Sequence, residues 1–259
     1  FRCDYCYLFN FYDDMSKFMS AETAEKSITT LFESDAVAPA VGFFGGEALL
    51  NMPVIESTVA FCAEWFDNTP SYSITTNGAT ITPRVAVFLK QHDFSVIVSV
   101  DGDMEQHNKH RKMALTQADT FHKVMEGLKN LKEVGLVRVT LRGTFLPEEV
   151  ELRRRVKYLN KLCDEGLGRA VSVEPACLTE GCSAEIEDSK FTFPVVASML
   201  QEYMDVADWM VKRLEAGRPA RFHNISTFVE RLVNKKQVAT ECGAGVSYLT
   251  VGPDGEIYA

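Results

Sequence analysis

Short β-branched strands alternate along this chain with helices of ten or more residues, and nearly every strand stops at glycine or a polar turn. Residues 41–44 are a short apolar run that ends in Gly45-Gly46. Residues 72–76 are β-rich and stop at Asn77-Gly78, a turn pair. Residues 94–100 form the clearest strand pattern and end at Asp101-Gly102. Residues 137–145 and 170–174 complete five strands. Helices fill the gaps: Ser20 is an N-cap for one to about residue 32, and Pro53 and Pro83 each open another. Further helices are expected at about 120–134, 148–163 and 193–216. Strands joined by helices that long must run parallel, because a tight turn cannot connect them. Ligands of parallel α/β sheets sit at the C-terminal strand edge, where these glycine and polar residues collect. A sixth strand is expected before Phe1, to launch the loop that opens the chain. After about residue 222 the pattern changes to one helix and a small β piece, with a tight turn at Pro253-Asp-Gly255.

Composition narrows the partners. Lys and Arg total 27 against 36 Asp and Glu, a formal charge of −9, so no basic surface is reserved for nucleic acid. No apolar run suits a bilayer crossing. Seven cysteines in a chain this large point to a reducing, cytoplasmic setting and to thiolates kept for chemistry or metal.

Five motifs carry chemistry. Phe1-Arg-Cys-Asp-Tyr-Cys-Tyr7 holds the Cys-x-x-Cys pair Cys3 and Cys6, which suits a zinc half-site, a redox dithiol or part of an iron–sulfur loop. No clean second pair completes a zinc site, and the chain has too many βα units for a thioredoxin-like dithiol. Phe43-Phe-Gly-Gly-Glu47 lets backbone approach a ligand and places a carboxylate at a strand end, suited to an ammonium. Thr75-Thr-Asn-Gly78 and Ser99-Val-Asp-Gly102 close the next two strands. Leu141-Arg-Gly-Thr-Phe145 sets Arg142 inside an apolar strand, where it needs a carboxylate partner from ligand or protein.

In this order the motifs resemble the radical S-adenosylmethionine (SAM) enzymes, whose signature is Cys-x-x-x-Cys-x-x-Cys. The resemblance makes Cys3 and Cys6 the second and third cysteines, with the first expected just before Phe1. It implies a [4Fe-4S] cluster on three thiolates, with SAM on the open iron. Tyr5 falls at the aromatic position near the adenine. Gly45, Gly46 and Glu47 match the element that holds the methionyl ammonium, with Ala48 where the family has proline. Asn77, Ser99, Asp101 and Arg142 fall at further cofactor-contact positions. Residues 241–258 resemble the start of a SPASM extension, which binds auxiliary iron–sulfur clusters, and Cys242 is its expected first ligand.

The implied fold is α/β: a partial (β/α)6 TIM-like barrel lacking its first strand over residues 1–221, then a linker helix and the start of a SPASM module over 222–259. The chain is expected to be cut at both ends. The 141–145 and 171–175 segments look most like the maturases that make thioether crosslinks in Cys-rich peptides, with the quinohemoprotein amine dehydrogenase maturases and anaerobic sulfatase-maturing enzymes as alternatives. A metal-binding interaction module is the non-enzyme alternative. Such an enzyme implies a precursor peptide or protein substrate and an electron donor such as ferredoxin or flavodoxin. Cys62 and Cys163 read as helix core residues. Cys177 and Cys182 read as a loop pair at the active edge without an assigned role. His107 and His110 read as solvated residues of a charged loop, and the acid-then-base run from Glu148 to Arg155 as favourable helix charge.

Overall fold

The computed structural model of the protein describes all residues except 7, 9–16, 33–39, 67–68, 177–189, 237–247 and 259. Five strands form one fully parallel sheet: β2 (Ala40–Phe43), β3 (Ser71–Thr76), β4 (Ser95–Ser99), β6 (Val139–Phe145) and β7 (Ala170–Pro175), in that spatial order. Between them run α2 (Met52–Trp65), α3 (Pro83–Gln91), α4 (Met104–His110), α5 (Phe121–Glu133) and α6 (Leu152–Asp164). α1 (Ala21–Phe32) precedes the sheet, while α7 (Phe193–Glu215) and α8 (His223–Val233) follow it. Start signals act as expected: Ser20 Oγ accepts from Thr23 N at 3.0 Å, and Thr82 Oγ1 accepts from Val85 N ahead of α3.

Period-two alternation gives the sheet two unlike faces. Tyr72, Ile74, Val96, Val98, Val139, Leu141, Val171 and Val173 are all buried on one. They pack with Ile55 and Val59 of α2, Leu89 of α3, Val124 and Leu128 of α5, and Val156 and Leu159 of α6 in one continuous core. Each fully buried aliphatic side chain there contributes about 1.5–3 kcal/mol. The opposite face carries Ser73, Thr75, Ser95, Ser99, Thr140, Arg142, Thr144, Ser172 and Glu174, most of them half-buried. A closed small barrel fills its interior with apolar layers; among the described residues this face is mostly polar and half-buried instead.

Two small β ladders lie outside the sheet. β1 (Arg2–Cys3) pairs antiparallel with β5 (Arg111–Lys112), setting Cys3 opposite Arg111. β8 (Thr250–Val251) and β9 (Ile257–Tyr258) form the expected hairpin. α8 begins against the sheet: Asn224 Nδ2 donates to Val173 O and to Glu174 Oε1, and Phe222 is buried.

Three expectations are corrected. Residues 104–110 are a helix, opened by a reciprocal capping box between Asp103 and Gln106. His107 is fully buried and His110 is bracketed by two carboxylates, so neither is a solvated loop residue. The expected helix from 148 is broken: a 3-10 turn at Pro147–Glu149 is followed by Glu151 at φ 28°, and α6 starts at Leu152. Cys62 and Cys163 are buried as expected. Cys177, Cys182 and Cys242 lie outside the described residues.

Candidate cofactor site at the strand edge

Two knots of hydrogen bonds build the C-terminal edge. The first ties β2 to β3. Glu47 Oε1 accepts from Thr76 Oγ1 at 2.7 Å, from Leu49 N at 3.3 Å and from Thr80 Oγ1 at 3.4 Å. Its Oε2 accepts from Asn77 N at 2.7 Å. All four donors are neutral, so burial dominates and pushes the Glu47 carboxyl above its usual range despite those bonds. Asn77 spends its side chain on its own turn, with Oδ1 accepting from Ala79 N at 2.9 Å. Gly45 precedes this knot at φ 135°, and among the described residues beyond its chain neighbours no atom lies within 4 Å of where a Cβ would stand, which leaves room for a ligand to approach the backbone.

The second knot ties the Cys-x-x-Cys turn to the end of β4. Within the turn, Cys6 N donates to Cys3 O at 3.1 Å. Tyr5, between the two cysteines, donates its hydroxyl to Asp101 Oδ2. Arg111 Nε donates to the same oxygen at 2.9 Å, and Thr144 N donates to Oδ1 at 2.9 Å. The guanidinium lies 5.4 Å from the Tyr5 ring centroid, and its Nη1 donates to Cys3 Sγ at 3.7 Å. Burial would raise the Asp101 carboxyl, but Arg111 and then His107 outweigh it and hold the group below its usual range. The Cys3 thiol is pushed up by burial, against an opposing pull from Arg111.

Supports surround this knot. His107 Nδ1 accepts from Asp101 N at 3.5 Å, so Nε2 carries the proton toward Thr120 Oγ1, 3.1 Å away. Burial lowers the His107 pKa to about 4, with Asp101 opposing and Arg111 adding to the fall. His110 bridges Asp4 at 2.9 Å and Glu149 at 3.0 Å, and Asp4 N donates to His110 O. Arg155, 2% exposed, donates to the carbonyls of Asp101, Val150, Thr144 and Glu149. It belongs to the frame of the site rather than serving only as favourable helix charge.

The expected contacts therefore divide. Tyr5 was expected beside an adenine and Asp101 at a ribose or carboxylate. Both are buried, at 7% and 1% exposure, with their polar atoms committed to the protein. Their hydrogen bond joins the cysteine turn to the end of β4. Ser99 and Arg142 are cross-strand partners on the open face, and Arg142 is exposed with no ion pair among the described residues. Sequence reasoning missed Arg111, Gln106 and Arg155. The Asp103-x-x-Gln106 capping pattern was readable, and Arg155 shares the helical stripe of Leu152, Val156 and Leu159.

Among the described residues no three side chains converge as a metal site. The turn supplies two free thiols, Cys3 and Cys6, both half-buried. Soft thiolates at this spacing fit an iron–sulfur cluster. No helix among the described residues is long and apolar enough to cross a membrane.

The family model described as the Radical SAM superfamily matches residues 1–157. The radical SAM cyclopropyl synthase TigE of Paramaledivibacter caminithermalis is 29% identical over 147 residues, covering 51% of this chain and 30% of that protein. The serine-type anaerobic sulfatase-maturating enzyme of Bacteroides thetaiotaomicron is 31% identical over 148 residues, covering 52% of this chain and 34% of that protein. The chain thus spans about a third of the length of these relatives. Among solved structures, native anSMEcpe with bound AdoMet superposes at TM-score 0.79 and 19% identity, over 99% of this chain and 70% of that one. Its complex with the Kp18Cys peptide superposes at TM-score 0.80 and 17% identity, over 99% and 69%. These structures share the fold of this chain over nearly its whole length. With the family model covering more than half of its residues, the chain belongs to the radical SAM superfamily.

Proposed function

We propose that the protein is a SAM-cleaving peptide maturase that closes a thioether crosslink in a ribosomally made peptide. The observation that carries this reading is the docking of the Cys3–Cys6 turn at the C-terminal strand edge, beside a polar open face. Cys3 and Cys6, with the first cysteine of the family motif, hold a [4Fe-4S] cluster. Gly45, Gly46 and Glu47 take the methionyl ammonium, Ser99 and Arg142 the ribose and carboxylate. When bound, such a cluster would supply one electron for the reductive cleavage of SAM. The chain's own part is to orient the cofactor, exclude water and aim the peptide C–H. Residues 222–259 begin an auxiliary-cluster module with Cys242 as a ligand. An electron donor such as ferredoxin or flavodoxin completes the cytoplasmic system.

A peptide or protein substrate is supported by the sulfatase-maturating relatives and by the peptide held in one structural neighbour. The same relatives favour a second reading, a sulfatase-maturing dehydrogenase. Anaerobic reconstitution of the protein with all three motif cysteines, SAM and a reductant separates these. Deoxyadenosine is expected, and its absence would return the chain to a metal-binding module. With a short Cys-rich peptide as substrate, one C–H and one S–H would become C–S: one hydrogen atom would leave in deoxyadenosine, the thiol proton would go to solvent and one electron to an iron–sulfur acceptor. The product then loses two hydrogens per crosslink and has a thiol blocked to iodoacetamide. A product that loses hydrogen but keeps an alkylatable thiol assigns the dehydrogenase reading.

A further inference from the structure

We propose that Arg111 sets the reduction potential of the cluster bound at Cys3, with Asp101 attenuating its charge. This rests on the reading of Cys3 as a cluster ligand. Arg111 faces Cys3 across the β1–β5 ladder, and its Nη1 donates to Cys3 Sγ at 3.7 Å. Its Nε donates to Asp101 Oδ2 at 2.9 Å, so the one guanidinium spans sulfur and carboxylate. Both partners are almost fully enclosed: Arg111 is 8% exposed and Asp101 1%. A buried cation is expensive, and a single carboxylate shared with the Tyr5 hydroxyl compensates it incompletely. The remaining positive character points at the sulfur.

The electrostatics fix the sign. Reduction adds one electron, supplied by the external donor, and so adds one negative charge to the cluster. A nearby N–H donor and cation stabilise the reduced form more than the oxidised one, which raises the potential. Asp101 lies behind the guanidinium and opposes it more weakly. Arg111 is thus a positioning and tuning residue.

The test is a dithionite titration of the reconstituted protein with all three motif cysteines, followed by electron paramagnetic resonance of the reduced cluster. Arg111→Gln is expected to lower the midpoint. At fixed potential the reduced-to-oxidised ratio should fall about tenfold, which is about 59 mV for one electron. Asp101→Asn is expected to move the midpoint the opposite way, because Arg111 is then less neutralised. Damage to a merely structural knot would not give opposite signs. Where either single variant fails to fold, the double variant Asp101→Asn/Arg111→Gln removes the buried pair together. Its midpoint should still fall, by less, because Arg111 is the nearer group. A wild-type midpoint in any folded variant lacking Arg111, or an unmoved or lowered one in Asp101→Asn, overturns the proposal. Failure of the wild-type protein to take up a cluster overturns the reading of Cys3 instead.

Discussion

Glu47 and Asp101 are both enclosed carboxylates at C-terminal strand ends, and their surroundings push them in opposite directions. Glu47 at the end of β2 accepts four hydrogen bonds, all from neutral donors, and its carboxyl is raised by burial. Asp101 after β4 is deeper, yet the Arg111 guanidinium keeps it ionised below its usual range. Hydrogen bonds alone do not replace a counter-charge. Among the described residues, the Asp101 knot holds its own cation in Arg111, whereas the Glu47 knot has dipoles and no cation. An ammonium is the natural complement of the second and has no place in the first.

The comparison breaks most visibly at Asp101. Asp101→Ala leaves Arg111 buried without its carboxylate and strips acceptors from Tyr5 and Thr144. A loss of about 3–5 kcal/mol of folding stability is expected, read from denaturant midpoints. A loss below about 1 kcal/mol would mean that the knot is not what holds the cysteine turn.

Next in size is a pH effect from the histidine behind Asp101. His107 has its pKa lowered from 6.5 to about 4, so the folded protein stays neutral there while the unfolded chain takes a proton. Its stability contribution is whole above about pH 6.5 and drains away as pH falls toward 4, by about 3 kcal/mol in all. Glu47 works the other way, since the fold binds its proton first and gains relative to the unfolded chain on acidification. Melting temperatures from pH 7 to 4.5 should therefore fall in the wild type and flatten in His107→Gln. An unchanged slope in that variant would show that the imidazole is not held neutral by the fold.

At Glu47 itself, the smaller expected effect is on the ligand. Glu47→Gln keeps the shape but removes the charge, and SAM affinity should weaken by about 1.5–3 kcal/mol in equilibrium binding. Unchanged affinity in the folded variant would leave Glu47 as a clasp between β2 and β3 only.

The sheet was legible because most strands are short apolar or β-rich runs that stop at glycine or polar turn residues, and residues 71–76 and 95–99 fall within a residue or so of expectation. The cysteine turn and the glycine-rich strand ends were legible for the same local reason. The knots were not. Tyr5 meets Asp101 across 96 residues and Arg111 meets Cys3 across 108, and no local pattern encodes such pairs. Charge also misled: Arg153, Arg154 and Arg155 look alike in the sequence, yet only the last is enclosed. His107 failed for a related reason, since its burial comes from Thr120 and from the end of β4.

The finest test separates frame from ligand contact on the open face. Arg142 sits opposite Ser99 and Ser172 in register, is exposed, and makes no ion pair among the described residues. An arginine in mid-strand without a protein carboxylate adds little to folding, so Arg142→Ala should change stability by no more than about 0.5 kcal/mol. The same guanidinium lies on the polar face at the cofactor edge and is free to take a carboxylate in a bidentate grip. Its loss should therefore show in SAM affinity and not in the unfolding midpoint, the reverse of Asp101→Ala. Arg142→Lys should recover part of the affinity, because the charge returns without the planar fork. A stability loss at Arg142 as large as that at Asp101 would make both faces of the sheet structural, and the contrast between a closed frame and an open face would be lost.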